Sequence, residues 1–211
     1  MSQLVWLGFT VVLVAGISLF QIVFERRRKA AYADYAVIHG LSFDPECKDL
    51  QTRLGNGFEL FNRGGLQTFR YALSGTRAGV PFTAFEFRYP AGRSTRSTSV
   101  MLWERPQGTW PGFAVAPEDL GDKILQLFGT QDFDFPEDKA FSGDYRLQGS
   151  DEAAVRGLFG PATRAFCLAH PGMYAAAHER HLIWWRQQAL PDPQGLDQFF
   201  TEGDAFRQLF F

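Results

Sequence analysis

Hydrophobic and polar positions fall along this chain in three different rhythms. From Leu4 to Phe24 there is no rhythm: 21 residues pass without a charge, and the polar side chains among them are Thr10, Ser18 and Gln21. As a helix this run rises about 1.5 Å per residue and reaches about 31 Å, the hydrocarbon thickness of a bilayer. A core helix of that length would carry a polar stripe, and this one has none. No Lys or Arg precedes the run, and Glu25-Arg26-Arg27-Arg28-Lys29 follows it at once, the reverse of a secretory signal. The pattern predicts an uncleaved transmembrane anchor over 1–24. Positive charge stays on the cytoplasmic side, so Arg26, Arg27, Arg28 and Lys29 become the residues that set membrane topology. The expectation is a single-pass protein of the cell inner membrane, with its N-terminus outside and its C-terminal domain cytoplasmic. The run holds no ionisable group, so it reads as an anchor and not as part of a conduction or proton path.

The second rhythm is helical. Tyr32, Tyr35, Ala36 and His39 recur at helical spacing and Gly40 is a stop, which predicts a juxtamembrane helix over 25–41. The third is period two. After an irregular stretch at 42–56, Phe58–Phe61 reads as a short strand. Phe69, Tyr71 and Leu73 then alternate with Arg70 and Ala72, and Phe85, Phe87 and Tyr89 with Glu86 and Arg88. Met101 and Trp103 oppose Val100 and Leu102, and Phe113–Val115 is a brief strand. Such alternation bounded by Gly and Pro argues antiparallel strands, with Pro90–Arg96 as a basic hairpin tip. Helical spacing returns at Leu120, Ile124, Leu127 and Phe128. A strand is expected near 140–148 and a helix capped by Ser150. A further helical piece follows Gly160-Pro161, then strands near 173–178 and 181–187, with Trp184 and Trp185 on opposite faces. Asp192-Pro193 begins a last helix.

The predicted fold class is α+β: an N-terminal transmembrane helix, then a largely antiparallel sheet with about three packed helices over 42–211. Tyr71-x-Leu73-x-Gly75 is echoed by Tyr145-x-Leu147-x-Gly149, so two similar halves, 56–128 and 131–211, are a further possibility beside chance.

Composition sharpens this picture in two places. The chain has 22 Phe and ordinary charge content, which describes a folded domain. Its two cysteines, Cys47 and Cys167, lie far apart and outside any Cys-x-x-Cys spacing, so free buried thiols are expected. Net charge is −2 but uneven. Residues 63–105 hold seven Arg against Glu86 and Glu104, a net of +5, while 106–155 hold ten acids against Lys123, Lys139 and Arg146, a net of −7. Either the two stretches neutralise each other across one fold, or the Arg-rich face meets anionic lipid headgroups.

Three segments, "LFNRGG", "FSGDYRLQGSDEAAVRGLFGP" and "LIWWRQ", behind the apolar run and its Arg cluster, resemble an uncharacterised group of bacterial single-span proteins with a cytoplasmic α+β domain. The resemblance covers most of the chain and rests on structural motifs. It implies a bacterial inner-membrane location and no functional residue.

Chemical signatures are sparse. His178-Glu179-Arg180-His181 places histidines at i and i+3, whereas the zinc-protease motif needs i and i+4 on a helix. On a strand, i and i+3 point to opposite faces; a hairpin turn would bring them together, with His170 as a third. Phosphate-binding glycine loops and a Gly-x-Ser-x-Gly elbow are absent. The acids of Asp132–Asp138 offer a cation loop or a solvated one. The expected function is a non-enzymatic interaction or scaffold module at the inner face of the membrane. Lipid would be its partner through the anchor, beside an unidentified protein, with no nucleic acid, cofactor, metal or catalytic residue. The alternative is a membrane-anchored hydrolase with a site around His170, His178 and His181.

Overall fold

A computed structural model describes residues 2–54, 57–62, 65–118 and 132–211. Helix α1 runs unbroken over Ser2–His39 and ends where Gly40 takes a positive φ of 65°. Strand β1 (Ser42–Asp44) and helix α2 (Lys48–Leu54) occupy the stretch expected to be irregular. The expected strand at Phe58–Phe61 is instead a 3-10 turn over Glu59–Phe61. Three long strands form a meander: β2 (Thr68–Arg77), β3 (Val80–Ala91) and β4 (Ser94–Glu104). Pairing continues closer to the hairpin tip than the sequence suggests and leaves Gly92-Arg93 as the turn, with Gly92 at positive φ. Next come β5 (Phe113–Pro117), helix α3 (Lys139–Asp144) and β6 (Tyr145–Gly149). Helices α4 (Glu152–Leu158) and α5 (Pro161–Ala169) lead into the hairpin β7 (Met173–His178) and β8 (His181–Arg186), and α6 (Pro193–Arg207) closes the fold. The helix expected at Leu120–Phe128 lies outside the described residues.

All described strands join one antiparallel sheet in the order β1-β2-β3-β4-β8-β7-β5-β6. β4 and β8 join its two sides, and β5 crosses to sit between β7 and β6. Tyr71 and Tyr145 of the sequence echo fall on β2 and β6, on opposite sides of that joint.

Both faces of the sheet are buried. On one lie Tyr32 and Tyr35 of α1 and Leu196, Phe199, Phe200 and Phe206 of α6, over Leu73, Phe82, Met101, Trp103, Val115 and Trp184. On the other, Leu50 and Leu54 of α2 join Phe58, Leu60 and Phe61 over Phe69, Phe85, Phe87, Val100, Leu102 and Trp185. This is why Trp184 and Trp185, on opposite faces, are both at most 1 % exposed. Helix starts follow local capping: Asp138, Asp151 and Asp192 each accept a backbone N–H of the first turn. The cap of α4 is thus Asp151, one residue beyond the expected Ser150.

The membrane expectations are corrected. No helix among the described residues is long and apolar enough to cross a membrane. The anchor at 1–24, the single-pass inner-membrane localisation and the lipid partner through that anchor fall with it. The physical reason lies in the helix itself. The apolar run is the first half of α1, and its second half is a working part of the domain, with Tyr32 and Ala36 buried against the sheet. Of the four basic residues assigned to topology, Arg26 and Arg27 are exposed and Lys29 is half-buried, while Arg28 turns into the domain to meet a buried carboxylate. From Trp6 to Phe24 the large apolar side chains described are exposed, Trp6 at 69 % and Phe24 at 59 %.

Close packing between β6 and α4 makes Gly149 a sensitive position. A Cβ there would lie 2.7 Å from both the Gly112 carbonyl oxygen and Val155 Cγ2. Gly149→Ala is expected to cost about 1–3 kcal/mol and to lower Tm by several degrees. Thermal unfolding followed by circular dichroism checks this, and an unchanged Tm would mean the backbone there is free to shift.

Candidate functional site

The densest polar constellation in the described fold sits where α1 crosses the end of β2 and β3. Glu25, Arg28, Tyr32 and Tyr35 recur at helical spacing, so one face of α1 meets the sheet with two charged groups followed by two aromatic rings. β2 supplies Arg70 and Tyr71. Simple alternation would send these neighbours to opposite faces, but the register slips between Arg70 and Leu73, with Tyr71 at φ 58°. A positive φ in a bulky aromatic is uncommon and has to be held by its surroundings. The slip turns both side chains toward α1, where each hydrogen-bonds the Glu25 carboxylate. It also corrects the expected pattern: Phe69 joins the opposite core, while Tyr71 and Leu73 stay under α1.

Next to this pair lies Glu86 of β3, fully buried. Its Oε2 accepts from Arg28 Nη2 at 2.9 Å and from the Leu190 backbone N–H at 3.1 Å, and its Oε1 sits 2.6 Å from Arg88 Nε. Arg28 also donates to the Leu190 carbonyl at 2.7 Å, and Tyr32 donates to the Pro191 carbonyl at 2.8 Å. The Arg28 guanidinium lies over the Tyr71 ring at 4.9 Å. The electrostatics agree with the geometry. Burial opposes charge on Glu25, yet the hydrogen bonds from Tyr71 and Arg70 outweigh it and hold its pKa below the ordinary carboxylate value. Burial and the bond to Glu25 raise the Tyr71 hydroxyl, keeping it a donor. Burial disfavours the Arg28 cation, and Glu86 beside it more than restores it.

Sequence reasoning missed this cluster because alternation placed Glu86 with Arg88 on the face opposite Phe85 and Phe87, and nothing local showed that this face is covered by α1. The available signal was Glu25 and Arg28, one helical turn apart, directly beyond an apolar run.

The histidines are placed in two different locations. His178 and His181 are direct cross-strand partners flanking the tight turn Glu179-Arg180, so the hairpin does bring them to one face. They line a cleft of about 390 Å³ with Gln51, Thr52 and Arg53 of α2, Gly57 and Phe58. Glu104 pairs in register with His181, and Arg53 and Arg180 hold that carboxylate at 3.3 and 3.7 Å. His170 lies beyond the opposite end of β7, with its Nδ1 2.8 Å from the Phe166 carbonyl and its ring stacked on Phe166. The three-histidine site of the hydrolase reading therefore does not assemble. Among the described residues no three metal-ligating side chains come together. The acids of 132–138 serve the fold instead: Asp132 meets Arg146, and Asp138 caps α3 and pairs with Arg164. Cys47 and Cys167 are free and buried, and burial pushes both thiols up to about 12.

The charge asymmetry resolves in a way neither expectation named. Arg70, Arg77 and Arg88 pair with Glu25, Asp204 and Glu86, while Glu118, Glu137 and Glu152 pair with Arg146, Arg164 and Arg156. Among the described residues, none of these pairs joins one stretch to the other.

No family model and no curated protein matches the sequence. Among solved structures, the fold resembles the crystal structure of the mycobacterial trehalose monomycolate transport factor A, TtfA. The TM-score is 0.63 at 15 % identity, over 87 % of this chain and 94 % of that one. At this identity the likeness establishes a shared fold.

Two predictions follow from the geometry. Arg28→Ala leaves Glu86 buried with Arg88 and one backbone donor, and is expected to cost about 2–4 kcal/mol. Adding Glu86→Gln should recover part of that loss in urea unfolding, and full additivity would show that the two side chains are not coupled. Burial lowers the pKa of His181, against the pull of Glu104. The folded state therefore favours the neutral ring, and the stability this provides is present above the ordinary histidine value and lost as pH falls. Between about pH 7 and 5, the wild-type Tm should drop further than that of His181→Gln; parallel curves would assign the loss to other groups.

Proposed function

We propose that this chain is a non-catalytic accessory factor that acts by assembling with another protein. The observation that carries the reading is the fold it shares, over nearly the full length of both chains, with a protein described as a transport factor. Two features of the molecule support it. The buried charge cluster is committed to holding α1 against the sheet, with Glu86 engaged by Arg28, Arg88 and Leu190. The histidines that a hydrolase would use are split between a hairpin end and a helix end. The domain also presents apolar side chains to solvent at Val37, Ile38 and Leu66, the last 90 % exposed.

Site-specific photo-crosslinking of the full chain in its native cells tests this. With the crosslinker at Val37, Ile38 or Leu66, at least one position should yield a discrete adduct with a single protein. If every position gives only monomer, the accessory reading is overturned.

A further inference from the structure

We infer that the groove between the first half of α1 and the end of β3 binds an amphiphile with an anionic phosphate or carboxylate head. This is independent of the protein partner proposed above, and either stands without the other. The groove is open, has a volume of about 590 Å³ and is lined by Ser18, Gln21, Ile22, Phe24, Glu25, Arg28 and Arg88. That volume is typical of small-molecule sites.

At this end of the sheet three guanidiniums, Arg28, Arg70 and Arg88, face two carboxylates, Glu25 and Glu86. Arg70 is matched to Glu25 and Arg28 to Glu86 Oε2. Arg88 uses its Nε toward Glu86 Oε1 and Ser97 Oγ, and no hydrogen bond among the described residues uses its two terminal nitrogens. One positive charge is left over, carried by a half-buried side chain that lines the groove. A phosphate or carboxylate meets that positive charge and suits the donor pattern of a guanidinium.

Of Thr10, Ser18 and Gln21, two line this groove, so a hydroxyl and an amide share it with Arg88. Ile22 and Phe24 are 50 % and 59 % exposed and continue into the exposed apolar side chains toward Trp6. An inorganic anion would leave this wall unused, whereas an alkyl chain attached to the anion would cover it.

Isothermal titration of the full-length chain with dodecyl phosphate below its micelle concentration tests the inference. Inorganic phosphate and uncharged dodecyl maltoside serve as comparison ligands. Wild type and Arg93→Gln, which removes an exposed charge at the hairpin turn, should bind dodecyl phosphate alike. Arg88→Gln should bind about tenfold or more weakly. Arg88→Lys keeps a cation beside Glu86, guards against a folding defect and should recover part of the affinity. Equal loss in the Arg88 and Arg93 variants would reduce the effect to general charge. Equal binding of inorganic phosphate would remove the role of the apolar wall, and equal binding of dodecyl maltoside would remove that of Arg88. Each of these outcomes overturns the inference.

Discussion

A carboxylate taken out of water has to be paired, and at Glu86 the pairing reaches three distant parts of the chain. β3 carries the carboxylate, α1 brings Arg28, and the segment after β8 brings the Leu190 amide. Arg28 then ties the last two together by donating to the Leu190 carbonyl as well. The position of α1 across the sheet follows from this. Were the helix to shift by one turn, Arg28 would leave Glu86 and Tyr32 would leave the Pro191 carbonyl together. The ion pair is a device for register more than a source of net stability, because desolvating both ions offsets much of their attraction.

The bulge in β2 serves the same joint. A regular strand can present Arg70 or Tyr71 to α1, but not both, since successive side chains alternate between faces. Placing Tyr71 in a left-handed conformation costs on the order of 1–3 kcal/mol in strain. In return both donors reach Glu25, and the strand regains its alternation at Leu73. Local strain, a buried ion pair and a groove with one unmatched guanidinium thus meet at one end of the sheet. The opposite edge holds the more conventional arrangement, in which acids cap helices and pair with nearby arginines.

Much of the scaffold is legible in the sequence. The β3–β4 alternation, the hairpin near 173–187, the Asp192-Pro193 start of α6 and the Gly40 stop of α1 all depend on neighbours within a turn or a strand. The failures are also local in origin. Phe58–Phe61 has the composition of a strand yet closes into a 3-10 turn over the sheet, because Leu60 and Phe61 fill the space above Phe69 and Phe87. The apolar opening run matches the length of a bilayer in sequence, but in the fold it is one half of a longer helix whose other half is docked. His178 and His181 illustrate the intermediate case: their spacing allowed two answers, and the two-residue turn between them selected one face.

By itself the sequence determined the α+β class, much of the antiparallel strand pattern, the Gly40 stop of α1 and the Asp192-Pro193 start of α6, and the separation of basic from acidic stretches. These are short-range properties, set by side-chain period, capping chemistry and composition. Only the tertiary structure decided that both faces of the sheet are covered, that β5 crosses between β7 and β6, and that Glu86 is buried rather than solvated. It also decided that Arg28 belongs to the domain and that Arg28 and Arg88 share the one carboxylate of Glu86. Those outcomes depend on which groups lie opposite one another across 58 or 104 residues of chain. No periodicity encodes that distance, because pairing a buried charge is a condition on the whole fold.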